Sequence, residues 1–169
     1  MTINVNKSRI TREQFAELLF YFTKKFTEDF VPYEMAKENS PFKNVDKDVF
    51  LHERLIMIFW IIDKFFGDEE RTLMSAIHKK YFTDLDILNN PEESKKEIEF
   101  FMSRYKEYYD AWDDKASDQF ILGGVIAKNI FQEEKMVLNA NIILHIVLDV
   151  YALIKQIRES IIDKYEVIN

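Results

Sequence analysis

A chain of 169 residues with no cysteine, three glycines and three prolines has no disulfides or cysteine chemistry and little material for tight turns. Its length fits one domain able to bury about 70% of its unfolded surface, and 47% apolar with 31% charged residues places it among globular chains built of long elements. The formal charge of −7, with no strongly basic segment, argues against nucleic acid as a direct partner, because phosphate affinity comes largely from Lys and Arg.

Residues 1–10 carry no periodic signal and are expected to fray. Thr11 with Gln14 three residues on then makes a capping box, and Ile10 is placed to staple onto Phe15. Phe15, Leu18, Leu19, Phe22, Phe26 and Phe30 recur at three- and four-residue steps, so the first helix presents a Phe-rich core face and ends before Pro32. Residues 32–45 read as the longest connection, with room for one helical turn over Glu34–Glu38.

The stretch from Val49 to Phe66 is the one the rest of the fold is expected to wrap. Thirteen of its eighteen residues are apolar and Leu55–Ile62 is apolar without a break, wider than a one-sided stripe allows. Glu53, Arg54, Asp63 and Lys64 interrupt it, which argues against a bilayer span and for a core helix of residues 46–66, capped at Asn44 or Asp46 and closed by Gly67. Its most polar line still runs through Met57 and Trp60, so these need cover.

Asp68, Glu69 and Glu70 suit the first turn of a third helix, whose buried line would be Leu73, Ile77, Tyr81, Leu85 and Leu88. Asn90, Pro91 and Glu93 mark the start of a fourth, with Ile98, Met102, Tyr105, Tyr109 and Trp112 turned inward and Phe101 and Tyr108 widening that face. The apolar pattern lapses over Asp113–Asp118, predicting a break with Ser117 or Asp118 as the next cap. A fifth helix would bury Phe120, Ile121, Val125, Ile126, Ile130 and Phe131, while Gly123 and Ala127 on one face predict a close crossing of two helix axes.

The last helix is expected to run from about Asn139 to Val167. Ile143, Val147, Val150, Ile154, Ile157 and Ile161 step 4, 3, 4, 3, 4, near a 3.5-residue repeat. Its first half reads as core, and residues 154–168 read either as an association seam or as a stripe packed on the first helix of the same chain. The fold expected is therefore all-α: a single-domain bundle of five or six helices over residues 1–169, with the 49–66 helix wrapped by helices one, three, five and the first half of the last.

Three histidines leave few sites for acid–base or metal chemistry. His145 and Asp149, four apart on the last helix, have the spacing of a metal-ligand pair, although the helical wheel puts them on the solvated side, where a surface ion pair is the plainer reading. No Glu-x-x-His, P-loop, G-x-G-x-x-G or G-x-S-x-G occurs, and no cofactor is implied. The aromatic end of the fourth helix, Tyr105, Tyr108, Tyr109 and Trp112, suits a half-wet protein contact better than bases, given Glu107, Asp110, Asp113 and Asp114 around it.

Arg71 and His78 share a face of the third helix opposite Leu73 and Ile77. Their spacing resembles the R-x(4–6)-H motif of HEPN ribonucleases, small all-helical proteins that dimerise to form a composite RNA-cleaving site. The resemblance implies His78 as the acid–base residue and Arg71 as the group holding the phosphate. It is carried by these two residues, lies in mid-chain where the family's motif lies late, and has Thr72 where the family carries a strongly polar residue.

The function expected is a non-enzymatic helical interaction protein, an adaptor or subunit of a larger complex. Its partner would be another protein or a second copy, met through Tyr105, Tyr108, Tyr109, Trp112, Ile157 and Ile161, with no membrane involved. No leader sequence opens the chain, so the expected location is cytoplasmic. The alternatives are a HEPN-like ribonuclease using Arg71 and His78, and a ligand-sensing bundle with a pocket near Trp60 or Gly123.

Overall fold

Seven consecutive residues, Ile56 to Ile62, are each 2% exposed or less, so the helix that carries them, α2 (Lys47–Phe66), is buried all round along its middle. The computed structural model describes residues 7–66, 71–85, 89–112 and 119–168. Around α2 it arranges β1 (Ser8–Thr11), α1 (Arg12–Ala36), α3 (Arg71–Asp84), α4 (Pro91–Ala111), α5 (Gln119–Phe131), α6 (Ala140–Ile157) and β2 (Tyr165–Ile168). A 3₁₀ turn, Glu134–Leu138, precedes α6, and a π turn, Arg158–Ile162, follows it. The fold is an all-α bundle. α1, α4, α5 and α6 pack on α2, whereas α3 leans mainly on α1 and reaches α2 through edge contacts of His78 and Tyr81 with Phe59.

The helix starts follow their caps. Thr11 Oγ1 accepts from the Gln14 N–H at 3.3 Å while Gln14 Oε1 accepts from the Thr11 N–H at 3.0 Å, the reciprocal pair of a capping box. Asp46, not Asn44, caps α2, accepting from the N–H groups of Asp48 and Val49 at 2.9 and 3.0 Å. Asn90 and Asn139 cap α4 and α6 in the same way. Gly67, Asp68, Glu69, Glu70, Leu88, Ser117 and Asp118 lie outside the described residues. The break before α5 is present, since α4 stops at Ala111 with Trp112 in an extended conformation.

Four expectations change. First, α1 continues through Pro32 to Ala36. Proline in a helix interior costs about 3 kcal/mol, yet the turn beyond it is anchored: Val31 and Glu34 are buried, and the Glu34 carboxylate accepts from Lys37 Nζ at 2.5 Å and Ser40 Oγ at 3.4 Å.

Second, Ser8–Thr11 is not frayed and Tyr165–Ile168 is not helical, while residues 1–6 lie outside the described residues. Ser8–Thr11 pairs in parallel with Tyr165–Ile168, in the register Ser8 with Tyr165 to Thr11 with Ile168. Tyr165 and Val167 turn inward and Glu166 and Ile168 outward, a period of two that the 3.5-residue reading overran. A two-stranded ribbon is marginal alone; here the Tyr165 ring sits 6.4 Å from Phe15. The stripe just before it is internal, with Ile157 and Ile161 at 0% and 2% exposure.

Third, α4 is rotated from its expected face: Phe101, Tyr105, Tyr108 and Ala111 are buried, whereas Ile98, Met102 and Tyr109 are 46%, 62% and 39% exposed. The inward line includes Glu97 and Arg104, whose partners lie on α2 and α3. Fourth, Leu85, Phe120 and Ile121 are exposed, and α5 instead turns Leu122, Gly123, Ile126, Ala127 and Ile130 inward.

The close crossing is present between α5 and α6. A Cβ added at Gly123 would lie 2.8 Å from Val147 Cγ2 and 2.9 Å from Ile143 Cγ2. By length and a mean hydropathy of 1.5, Ala140–Ile162 is the one helix among the described residues apolar enough to cross a membrane, and 33% of that apolar window is buried inside the bundle. Core helices pass the same test, and Ile142, Ile146, Val150, Leu153 and Ile157 on it are core.

Two outcomes follow from this packing. Gly123→Ala should destabilise by up to about 2 kcal/mol in urea denaturation, an overpacking cost of about 1–3 kcal/mol less the ~1 kcal/mol gained in helix propensity. Replacing Ile157 and Ile161 together by Glu should abolish helicity and solubility in circular dichroism and pelleting assays, because both charges enter the core; a folded, soluble double variant would contradict the observed burial.

Candidate functional site

Successive residues of a helix point about 100° apart, so three consecutive polar side chains on a wrapped helix must each meet a different neighbour. His52, Glu53 and Arg54 do this. The His52 ring nitrogen lies 2.7 Å from Glu97 Oε1 of α4, and the Tyr81 hydroxyl of α3 donates to the same oxygen at 3.0 Å. Glu53, 3% exposed, accepts from Arg104 Nη2 at 2.8 Å and Nε at 2.9 Å, and from the Tyr108 hydroxyl at 3.3 Å. Arg104 also donates to Glu107, which accepts from Asn129 Nδ2 of α5 at 3.0 Å. Arg54, 2% exposed, makes a two-pronged pair with Asp149 of α6 and lies 3.5 Å above the Phe30 ring centroid of α1.

These partners set the ionisation. Burial pushes the Glu97 pKa upward, but hydrogen bonds from His52 and Tyr81 more than offset it and hold the carboxyl below its ordinary value. Burial likewise would lower Arg104, and the Glu53 pair raises it on balance. Tyr81 and Tyr108 are raised, first by burial and then by the carboxylates of Glu97 and Glu53. Glu97, Arg104, Tyr81 and Tyr108 each hold one protonation state near neutrality, so they build structure and fixed charge rather than shuttle protons.

Beside the His52 cluster opens a cleft of about 480 Å³, between α1, α2, α3 and the start of α4. Its apolar lining is Phe20, Leu51, Leu55 and Leu85, and its polar edge carries Lys24, Glu28, Asp48, Asp84, His52, Glu97 and Tyr81. Thr27 also lines it. That residue is 1% exposed and its hydroxyl has no hydrogen-bond partner, unlike Thr23 one turn earlier, which donates to the Leu19 carbonyl at 2.8 Å. The size falls in the range of small-molecule sites, and an apolar lining with a few converging polar groups is their usual chemistry. A groove of about 780 Å³ between α1 and α3 is larger but bordered mostly by charged and polar side chains, among them Glu13, Glu17, Lys79 and Lys80.

The residues singled out from sequence are dispersed. His78 is not on a solvated face: it lies among Phe59, Phe82, Phe101 and Tyr105 with Nε2 3.0 Å from the Tyr105 hydroxyl. Burial lowers its pKa to about 4, leaving a neutral, poorly basic ring at pH 7. The Arg71 side chain lies outside the described residues. Tyr105 and Tyr108 are core; Tyr109 is 39% exposed and donates to Asp63 at 2.7 Å; Trp112 packs edge-on at 5.5 Å from Trp60. His145 and Asp149 take different partners, His145 facing the buried Glu34 at 3.4 Å and Asp149 facing Arg54, so the surface ion pair expected between them is replaced by two half-buried ones. Among the described residues no three His, Asp or Glu side chains group as metal ligands.

The space near Trp60 is about 190 Å³ and that near Gly123 about 10 Å³, so the main cleft lies at neither expected place. The sequence signal for it was the run His52–Glu53–Arg54, three polar residues inside an otherwise apolar helix.

Two measurements probe these networks. Arg104→Met, which strands Glu53, should cost about 3–5 kcal/mol in urea denaturation, and Glu53→Leu added to it should recover most of that loss. His78 is a pH element: its folded pKa near 4 lies below the unfolded value of about 6.5. Its contribution is therefore complete above pH 6.5 and lost as pH falls towards 4, by about 3 kcal/mol; His78→Gln should remove that slope from stability measured between pH 4.5 and 6.5. The chain matches no protein-family model, no curated protein and no solved structure, so geometry alone carries the functional reading.

Proposed function

We propose that this protein is a ligand-binding helical bundle whose site is the α1–α2–α3 cleft. The observation that carries the reading is the 480 Å³ apolar cleft lined by Thr27, whose buried hydroxyl lacks a partner, and edged by the His52, Glu97 and Tyr81 cluster. No bond-making step is assigned to it, since His52, Glu97, Tyr81, Lys24 and Asp84 at its edge are tied into fixed pairs. A bound molecule would bridge three helices and stabilise the fold in proportion to its affinity, by ~2.7 kcal/mol at a hundredfold excess over Kd. Screening a small-molecule library by melting temperature should therefore find compounds that raise it for the wild type and not for Leu55→Trp, which fills the cleft. A library whose active compounds act equally on both would refute the site.

A second reading keeps the protein as an interaction module, an adaptor or subunit, and rests on a different surface. Leu144, Leu148 and Tyr151, spaced as one stripe on the outside of α6, are 47%, 60% and 43% exposed, with Phe120 and Ile121 of α5 and Leu138 also uncovered. A stripe of that width fits a single apposed helix, from a second copy or another protein. Sedimentation should then show association that Leu148→Glu abolishes while helicity is kept; a wild-type chain monomeric at all concentrations would exclude the self-paired form.

A further inference from the structure

Building on the binding role proposed for the cleft, we infer that its ligand is a hydrophobic amine, an apolar body carrying a cationic head. The lining sorts by charge. Glu28, Asp48, Asp84 and Glu97 supply four carboxylates, against one ammonium from Lys24 and the His52 ring. Lys24 is already committed, 2.7 Å from Asp84 and 3.9 Å from Glu28, and His52 is committed to Glu97. Asp48 makes no ion pair among the described residues, and Glu28 holds only the long contact, so anionic charge is left over at the mouth.

Beneath that charge the wall is apolar, from Phe20, Leu51 and Leu55. A carboxylate or phosphate would meet repulsion with no cation free to answer it, whereas an ammonium would be attracted by every acidic group on the edge. Thr27 lies on the same wall with a buried hydroxyl that has no partner, where a helical threonine ordinarily bonds its own backbone as Thr23 does. The tyrosine hydroxyl and His52 ring that also reach Glu97 fix that carboxylate at one wall, so the polar end of the ligand is directed to the edge and its body to the floor.

The test uses the full chain and three probes with one body and different heads: 4-phenylbutylammonium, 4-phenylbutanol and 4-phenylbutanoate, titrated calorimetrically at low and at physiological salt. The ammonium should bind roughly tenfold or more tighter than the alcohol and the carboxylate more weakly than either, with the ammonium's advantage shrinking as salt rises. Glu28→Gln with Asp48→Asn should bring the ammonium to within about threefold of the alcohol and leave the alcohol unchanged. Leu55→Trp, or Leu51→Trp if the first variant loses helicity, should abolish binding of all three. Alcohol or carboxylate binding as tightly as the ammonium, in a manner lost on Leu55→Trp, overturns the cationic class and leaves the binding role intact. Ammonium binding that survives the filled cleft overturns the inference as surface attraction, and no binding by any probe overturns both readings.

Discussion

Three neighbouring polar side chains in the second turn of the fold's most enclosed helix are the constraint on which the rest depends. Removing an ion from water costs several kcal/mol even after relaxation, and only well-placed partners offset it. Glu53 and Arg54 are both 3% exposed or less, so neither can be left to solvent. Because the helix turns about 100° per residue, their partners come from different directions: Arg104 on α4 for Glu53, Asp149 on α6 for Arg54. Hydrophobic contact tolerates sliding and rotation; a two-pronged guanidinium–carboxylate pair does not. The rotation of α4 and α6 about α2 is thereby fixed by charge, while the apolar core supplies the bulk of the driving force.

That division explains what could be read from the residues and what could not. Apolar periodicity and capping chemistry are local, so the α2 core, the Thr11 and Asn90 starts, the break after Trp112 and the Gly123 crossing all follow from the sequence. The face of α4 is not local. On hydrophobicity alone Ile98, Met102 and Tyr109 outrank a line holding Glu97 and Arg104, and only knowledge that Glu53 and His52 lie opposite reverses the order. The same holds for His145 and Asp149: a helical wheel places both outward, whereas Glu34 and Arg54 draw them inward.

The ends of the chain show a second kind of nonlocal override. Nothing in Ser8–Thr11 or Tyr165–Ile168 marks a strand strongly, and among the described residues each pairs with the other alone. Pairing becomes favourable once α1 and α6 have brought both segments to the same end of the bundle, where Ile10, Tyr165 and Val167 pack on the core. The π turn at Arg158–Ile162 makes the junction, keeping Ile157 and Ile161 buried while releasing the backbone from the helix. Pro32 is similar in kind, a local penalty absorbed because Glu34 meets His145 of α6 and Val31 is buried in the core.

The cleft is a by-product of the same geometry, which bears on why it stays open. α1 carries two faces: a ladder of Phe22, Phe26 and Phe30 with ring centroids 5.7 and 6.3 Å apart, and a line through Phe20, Thr23, Thr27 and Val31, all buried. Along that second line the short Thr27 side chain stands where a larger one would close the space against Leu51 and Leu55. Here α3 leans on α1 rather than on α2, and the His52–Glu97 pair joins the first turns of α4 to α2, so neither element moves in to cover the gap. The hydroxyl of Thr27 is left on this wall with no partner among the described residues, a second sign that packing here stops short of closure.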